Sequence, residues 1–473
     1  MWVFYLSFFG CQQPPPVISC EKLSVAFDDS MGGNVLVILT DDIGIDKTAA
    51  YSEHPHPANT PNLDALACAG VLFRNAYSHP TCTPSRSALM TGRYGLRTGL
   101  GTWFDVSKDN FDLSLDEVTI PEMLRQSIFG YSSSAVGKWH LGSKKRETVS
   151  ENPLEHGFGY HAGSLGNPLE AIQPGNVPRG FRNWEKSTNG ELSWETTYMT
   201  VDTANEALEQ IETLEEPWFL YVAFNAAHDP IHVPPKDLFT LWGVHEWSSY
   251  ERKYHAMIEA VDSEIGRVLA GIPEETLERT TIIYLSDNGS PRQGITDPWS
   301  NRRSKGTVYE GGVNIPMIVT GPLVAEKGTE TQGLVHFVDV LPSIAQIAEV
   351  DVNALHNESN EIVELDGKSF IPYLSNPELE TIREYVYTEG FGPNGAPPYK
   401  YHKAMIRDEK WKYYYHDPKE GDFREGFYRF EDGAWSEGSN LLEVGGLSVE
   451  DMDAYYRLKQ QLLQLHEEIE FAH

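Results

Sequence analysis

Several polar side chains of this sequence stand directly after apolar runs, where they could do chemistry together. Asp41 and Asp42 follow Asn34-Val-Leu-Val-Ile-Leu39, and Asp287 and Asn288 follow Ile282-Ile-Tyr-Leu285. These four offer only oxygen donors, a set that suits a hard divalent cation such as calcium or magnesium rather than zinc or copper. The sequence has no HExxH pattern, and none of these four donors is a histidine. Lys138 and His140 lie in Gly137-Lys-Trp-His-Leu-Gly142, and His228 follows Tyr221-Val-Ala-Phe-Asn225. With Arg86 and Lys305 they would form a cationic nest able to hold a tetrahedral oxyanion.

Cys82 is the sharpest single residue. It stands in His79-Pro-Thr-Cys-Thr-Pro-Ser-Arg86, just before a helical stretch predicted over Ser87 to Thr91. Free backbone N–H groups and Arg86 there would stabilise an anion or an oxygen nucleophile. Its chemistry leaves three readings open: nucleophile, metal ligand or structural thiol. Cys68, in Leu66-Ala-Cys-Ala-Gly70, reads instead as an inert core thiol. Four cysteines, Cys11, Cys20, Cys68 and Cys82, are too few for a disulfide-built scaffold and are irregularly spaced for a structural zinc site.

The elements that must position these groups alternate between strand and helix. Strands are predicted over 34–39, 131–136, 218–224, 281–285 and 316–319, and helices over 61–69, 117–126, 197–214 and 250–269. That alternation means a large, mostly parallel sheet flanked by helices, with ligands at the carboxyl ends of its strands. Residues nearly 250 positions apart would then share one cleft. From Arg383 onward, segments at 385–388, 403–407, 411–415 and 426–430 suit a small antiparallel sheet, followed by an apolar-striped helix over 453–468. The expected division is a leader and tail at 1–32, a catalytic domain at 33–350 and a C-terminal subdomain at 351–473.

The 473 residues carry 37 Lys+Arg against 69 Asp+Glu, a formal charge of −32, which excludes a generic nucleic-acid binder. The opening Met-Trp-Val-Phe-Tyr-Leu-Ser-Phe-Phe-Gly-Cys11 is apolar and too short to span a membrane, and no other stretch resembles a transmembrane segment. It reads as an export signal, with Cys11 a candidate lipid-anchored residue, so the protein is expected in the periplasm, on the outer membrane as a lipoprotein, or secreted.

Cys82-Thr-Pro-Ser-Arg-Ser-Ala-Leu-Met-Thr-Gly-Arg93 resembles the signature of the formylglycine-dependent sulfatases, relatives of alkaline phosphatase. Gly137 to Gly142 resembles the family's second signature. Asp41-Asp42, Ala227-His-Asp-Pro230, Ser286-Asp-Asn-Gly289 and Lys305 with Glu310-Gly-Gly312 match further blocks in the same order. The resemblance implies that a formylglycine-generating enzyme converts Cys82 to 3-oxoalanine (formylglycine). It implies that Asp41, Asp42, Asp287 and Asn288 hold Ca2+ with residue 82 completing the shell, and that Arg86, Lys138, His140, His228 and Lys305 surround the sulfate. A hydrated aldehyde would offer one hydroxyl to attack sulfur and a second through which sulfate is expelled, with His228 and Lys305 on the leaving group and His140 as the later base. The expected reaction is hydrolysis of a sulfated carbohydrate, with aryl sulfates behind it. The alternatives are a phosphonate monoester or phosphodiester hydrolase using the same nucleophile, and a catalytically silent sulfoglycan-binding protein. Aromatic loops at 242–247 and 393–401 could stack on sugars or pack between domains, and Tyr399 and His402 could reach the cleft from the C-terminal domain.

Overall fold

The computed structural model describes residues 15 and 17–470, apart from 52–53, 109–110, 176–177, 358 and 431–435. The expected leader, with Cys11, lies outside the described residues. The central strand, β1 (Asn34–Thr40), is buried along its whole length. Its side chains alternate: Val35, Val37 and Leu39 enter one apolar core, Leu36 and Ile38 the other. A strand with two buried faces reads as a continuous β-branched run, because both sides of the pleat are covered by other elements.

On one side lie the helices α1 (Pro61–Ala69), α3 (Met199–Thr213) and α4 (Tyr250–Gly271); on the other lie α2 (Cys82–Thr91), α5 (Val340–Ile347) and the C-terminal sheet. Each fully buried Val, Leu or Ile contributes about 1.5–3 kcal/mol, and truncating one to Ala costs about 2–5 kcal/mol. The remaining strands of the large sheet are β2 (Gly70–Tyr77), β3 (Ser132–Gly137), β4 (Tyr160–Gly163), β5 (Trp184–Thr188), β6 (Glu191–Glu195), β7 (Trp218–Ala223), β8 (Thr280–Ser286), β9 (Met317–Thr320) and β10 (Thr329–His336). Their order is β10-β2-β9-β8-β1-β7-β3-β4-β5-β6. β8-β1-β7-β3-β4 run parallel, whereas β9 is antiparallel to both neighbours. Register brings the strand ends level: Thr40 faces Ser286, and Leu39 and Gly137 both face Ala223.

The C-terminal sheet is antiparallel in the order β11 (Val386–Gly392), β12 (Tyr401–Arg407), β13 (Trp411–Asp417), β14 (Arg424–Arg429). The helix α6 (Val449–Glu470) buries Ala454, Leu458, Leu462 and Leu465 against it. A third apolar cluster joins the two sheets through Tyr77, Val313 and Leu334 on one side and Val386, Met405 and Tyr414 on the other.

Three expectations need correction. Cys68 is not an inert thiol; it forms a disulfide with Cys20, closing a separation of 48 residues. That bond ties the short helix Cys20–Leu23 to α1, and Ile18, Leu23 and Val25 are buried, so the latter part of the expected tail is packed onto the same apolar core as α1. The helix expected over 117–126 is confined to Ile120–Leu124, because the Thr119/Glu122 capping box fixes its start. The helix expected from Ser87 begins at Cys82 instead, since Pro84 falls in the first turn, where no intrahelical N–H is needed.

Candidate active site

The level strand ends place the acidic residues first. Asp41 N–H donates to the Ala226 carbonyl at 3.0 Å, and the Asp41 carbonyl accepts from Ala227 N–H at 2.7 Å, so the residue after β1 is held by the loop that follows β7. Asp42 then turns through a positive φ of 64°. A non-glycine residue is held there only when its surroundings fix it. They do: Tyr254 of α4 donates to the Asp42 carbonyl, Ile43 N–H to Ser286 Oγ at 3.0 Å, and Gly44 N–H to Ser290 Oγ at 3.1 Å.

Cation and carboxylate interleave. Arg86 Nη2 donates to Asp287 Oδ2 at 2.8 Å and reaches Asp41 Oδ2 at 3.4 Å, while its Nη1 donates to the Lys138 carbonyl at 2.9 Å. Lys138 Nζ donates to Asp41 Oδ2 and, at 2.7 Å, to Asn167 Oδ1; Lys305 Nζ donates to Asp42 Oδ1. Asn288 Nδ2 donates to Asp42 Oδ1 at 2.7 Å. Lys138 reaches its place because Gly137 takes φ +91°, and a Cβ there would sit 2.0 Å from the Ala223 carbonyl oxygen. Only glycine tolerates that approach.

Two oxygens remain unclaimed. Asp41 Oδ1 and Asn288 Oδ1 are buried without a hydrogen-bond partner among the described residues. Burial raises the Asp287 carboxyl to about 6, with Asp41 adding to it, and burial likewise raises Asp42. Asp41 is also pushed up by burial, but Lys138, His228 and Arg86 more than offset this and hold it well below the usual range. Unpaired oxygens among carboxylates that repel one another are what a divalent cation would satisfy, so the donors fit such an ion. His228 offers a ligand atom within 4.8 Å of those of Asp41 and Asp42, so this histidine borders the oxygen donors.

Cys82 is the first residue of α2, every residue of which is buried, and Thr81 before it makes no side-chain cap. Burial pushes its thiol up to about 11 against the pull of Lys138 and Lys305. His140 sits at φ 62°, its Nε2 2.8 Å from the Phe104 carbonyl. A carbonyl only accepts, so Nε2 carries the proton and the buried, unpartnered Nδ1 presents its lone pair. His228 Nδ1 likewise meets its neighbour's Asp229 carbonyl at 2.8 Å, and burial plus Lys305 lowers this histidine to about 4.

Sequence reasoning missed Asn167 and Glu170. Asn167 accepts from Lys138, and Glu170 Oε1 accepts from Asn167 Nδ2 at 2.7 Å. Both follow β4, a short strand without an apolar run. Tyr399 and His402 do not enter this cluster. His402 lies between Glu389 and Tyr415, and Tyr399 packs at a tilt against Phe391 with ring centroids 4.4 Å apart. The loop at 393–401 packs between domains, with Asn394 Oδ1 accepting from Gly101 and Thr102 N–H, whereas Trp242 and Trp247 are 91% and 93% exposed.

The doubly wound sheet, with oxygen donors, cationic nest and cysteine along one carboxyl edge, defines an α/β protein of the alkaline-phosphatase-like kind. The Sulfatase family model matches residues 33–350, and the chain belongs to the sulfatase family. It is 30% identical over 399 residues to arylsulfatase J of Mus musculus, covering 80% of this chain and 63% of that protein. It is 30% identical over 377 residues to N-acetylgalactosamine-6-sulfatase of Homo sapiens, covering 73% and 66%. The chain thus spans about two thirds of the length of these relatives. Among solved structures, Ps i-CgsB superposes with a TM-score of 0.72 at 24% identity, covering 92% of each chain. BT4656 in complex with D-glucosamine-2-N,6-O-disulfate gives 0.69 at 18%, covering 93% and 98%. These two show the fold. No helix among the described residues is long and apolar enough to cross a membrane.

Proposed function

We propose that this chain hydrolyses sulfate esters, sulfated carbohydrates foremost, with residue 82 as formylglycine and a bound Ca2+. The observation that carries the reading is the pair of unclaimed oxygens, Asp41 Oδ1 and Asn288 Oδ1, in a cluster where Lys138, Lys305 and Asp41 all act on the Cys82 side chain. Asp41, Asp42, Asp287 and Asn288 would hold the ion, with residue 82 beside it. When bound, calcium supplies positive charge at the sulfate oxygens and acidifies a neighbouring hydroxyl. Hydrated formylglycine supplies two hydroxyls on one carbon.

The chain's own groups do the rest. Arg86 is fixed by Asp287 and the Lys138 carbonyl, so it orients its neighbours and adds charge behind residue 82. Lys138 and Lys305 donate to sulfate oxygens, and each preformed donor of this kind is worth about 2.7–4 kcal/mol in the transition state. His140 accepts a proton at Nδ1. Lys305, held protonated by Asp42 despite burial, and His228, raised toward protonation by a bound anion, deliver the proton to the leaving oxygen. The relatives named N-acetylgalactosamine-6-sulfatase and the exposed Trp242 and Trp247 support a sugar as the alcohol. The Cys20–Cys68 disulfide supports export to an oxidising compartment, periplasmic, outer-membrane-anchored through Cys11 or secreted.

The test is mass spectrometry of the tryptic peptide containing residue 82 after co-expression with a formylglycine-generating enzyme, joined to rates on matched aryl sulfate, aryl phosphonate and aryl phosphodiester. The aldehyde or its hydrate and a sulfate preference are expected. A persistent thiol would point to the silent sulfoglycan-binding alternative, and a phosphonate or phosphodiester preference of several decades would replace the sulfatase reading.

A further inference from the structure

The C-terminal sheet does reach toward the catalytic loops, one residue beyond the expected His402. Successive residues of β12 face opposite sides: His402 turns to Glu389 and Tyr415, whereas Lys403 Nζ donates to the Gly306 carbonyl. Gly306 follows Lys305, and its own N–H donates at 2.8 Å to the carbonyl of Pro80, two residues before Cys82. The lysine stem runs through a corner kept free of side chains. A Cβ on Gly390 would meet Lys403 Cε at 2.9 Å, the Gly101 carbonyl oxygen at 3.5 Å and Pro80 Cγ at 3.6 Å. Beside Gly306, at φ +84°, a Cβ would meet nothing within 4 Å, so there is open space next to Lys305.

The chain carries 69 acidic residues, yet no carboxylate among the described residues lies within ion-pair distance of Lys403. Lys138, Lys186, Lys305 and Lys412 each have one or two. Besides the Gly306 carbonyl, Lys403 has the Tyr401 ring 5.5 Å away and, across the strand pair, His416, with no anionic partner among the described residues. An ammonium has three donors, and desolvating it without a counter-ion is costly. Burial alone acts on it, lowering it to about 8.

We propose that Lys403 binds a second anionic substituent, a carboxylate or a further sulfate, on the sugar whose sulfate ester occupies the site. This rests on the reading of the site given above. The probes are N-acetylgalactosamine 6-sulfate, N-acetylgalactosamine 4,6-disulfate and the disaccharide that joins glucuronate to N-acetylgalactosamine 6-sulfate. Each is titrated by calorimetry into the full chain carrying Cys82→Ala, with and without Lys403→Met or Lys403→Arg. With Lys403, at least one doubly anionic probe should bind tenfold or more tighter than the monosulfate, and which probe does so separates sulfate from carboxylate. The advantage should fall below twofold in Lys403→Met and survive in Lys403→Arg. No advantage with Lys403 present, or an advantage that persists in Lys403→Met, overturns the assignment. Sulfate release from N-acetylgalactosamine 6-sulfate and from 4-nitrophenyl sulfate by the formylglycine-bearing protein is measured separately; its absence on both would overturn the reading of the site, while the affinity ratios still decide the lysine.

Discussion

Two buried charge clusters of this protein use the same residue types to opposite ends. In the clasp between the domains, Glu310 Oε1 accepts from Lys412 at 2.9 Å, and Glu310 Oε2 accepts from Tyr77 at 2.8 Å, Asn314 at 3.1 Å and Arg407 at 3.1 Å. Lys412 also donates to Glu437 Oε1 at 2.7 Å. Both Glu310 oxygens are engaged, although Glu437 Oε2 and Asn314 Oδ1 of the same clasp are buried without a hydrogen-bond partner among the described residues. At the β1 edge, Asp41 Oδ1 and Asn288 Oδ1 stay unclaimed beside three carboxylates and three cations. Unsatisfied acceptors occur in both clusters; the β1 edge differs in gathering them among three carboxylates from adjacent strand ends beside Cys82, whereas the clasp holds two carboxylates between the sheets.

The largest effect that would break this comparison is at residue 82. Cys82→Ala should lower sulfate release about 10⁴-fold or more, as removal of a nucleophile does, and leave the melting temperature nearly unchanged. Near-native turnover by this variant would remove the nucleophile from the argument.

Next come changes to the clusters themselves. Asp287→Asn, or dialysis against a calcium chelator, should cut turnover about 10²–10³-fold and lower the melting temperature, with added Ca2+ restoring only the dialysed wild type. Glu310→Gln should instead destabilise by about 3–5 kcal/mol, because Arg407 loses its charge partner and Lys412 keeps only Glu437, while the response to Ca2+ stays as in the wild type. Thermal unfolding with and without Ca2+ checks both. Equal calcium responses in Asp287→Asn and the wild type would erase the distinction between the clusters.

Much of the active edge was legible because buried parallel strands write themselves as β-branched runs, and the residue after each run must lie at the sheet's carboxyl end. The motif block containing Glu310 was legible too, but not its use, since its partners Lys412 and Arg407 lie about 100 residues later in another sheet. β2 and β10 were not anticipated. Arg74 and Asn75 interrupt the first, and the second has a polar start and a shift of register between Thr331 and Leu334. Cys68 was misread because an apolar helix context is the same for a core thiol and for one facing a distant cysteine. Asn167 was illegible because its role depends on Lys138 crossing from a neighbouring strand.

A smaller effect follows from a buried neutral histidine outside both clusters. His156 packs near Trp139, and burial, with Arg146 adding to it, lowers it from 6.5 to about 4. The unfolded chain then binds more protons than the folded one between these values, so its contribution is complete above pH 6.5 and is lost as pH falls toward 4. The shift corresponds to at most about 3 kcal/mol. Urea unfolding at pH 7.5 and pH 5 should show this loss, and His156→Gln should flatten the slope. An unchanged slope in the variant would assign the acid sensitivity elsewhere.

The smallest expected effect concerns the contrast between the cationic nest and the surface around it. The net charge of −32 repels a polyanion at long range, whereas Arg86, Lys138 and Lys305 act only inside the site. Salt screens the first much more than the second, because exposed charges lose their reach over a Debye length of about 8 Å at 0.15 M while buried pairs hardly change. The rate on a densely sulfated polymer should therefore rise modestly, about twofold, as salt is raised from low to physiological ionic strength. The rate on a sulfated monosaccharide should stay nearly level. A steep fall with salt on the polymer would mean that exposed cations capture it, and the nest would no longer be the sole source of attraction.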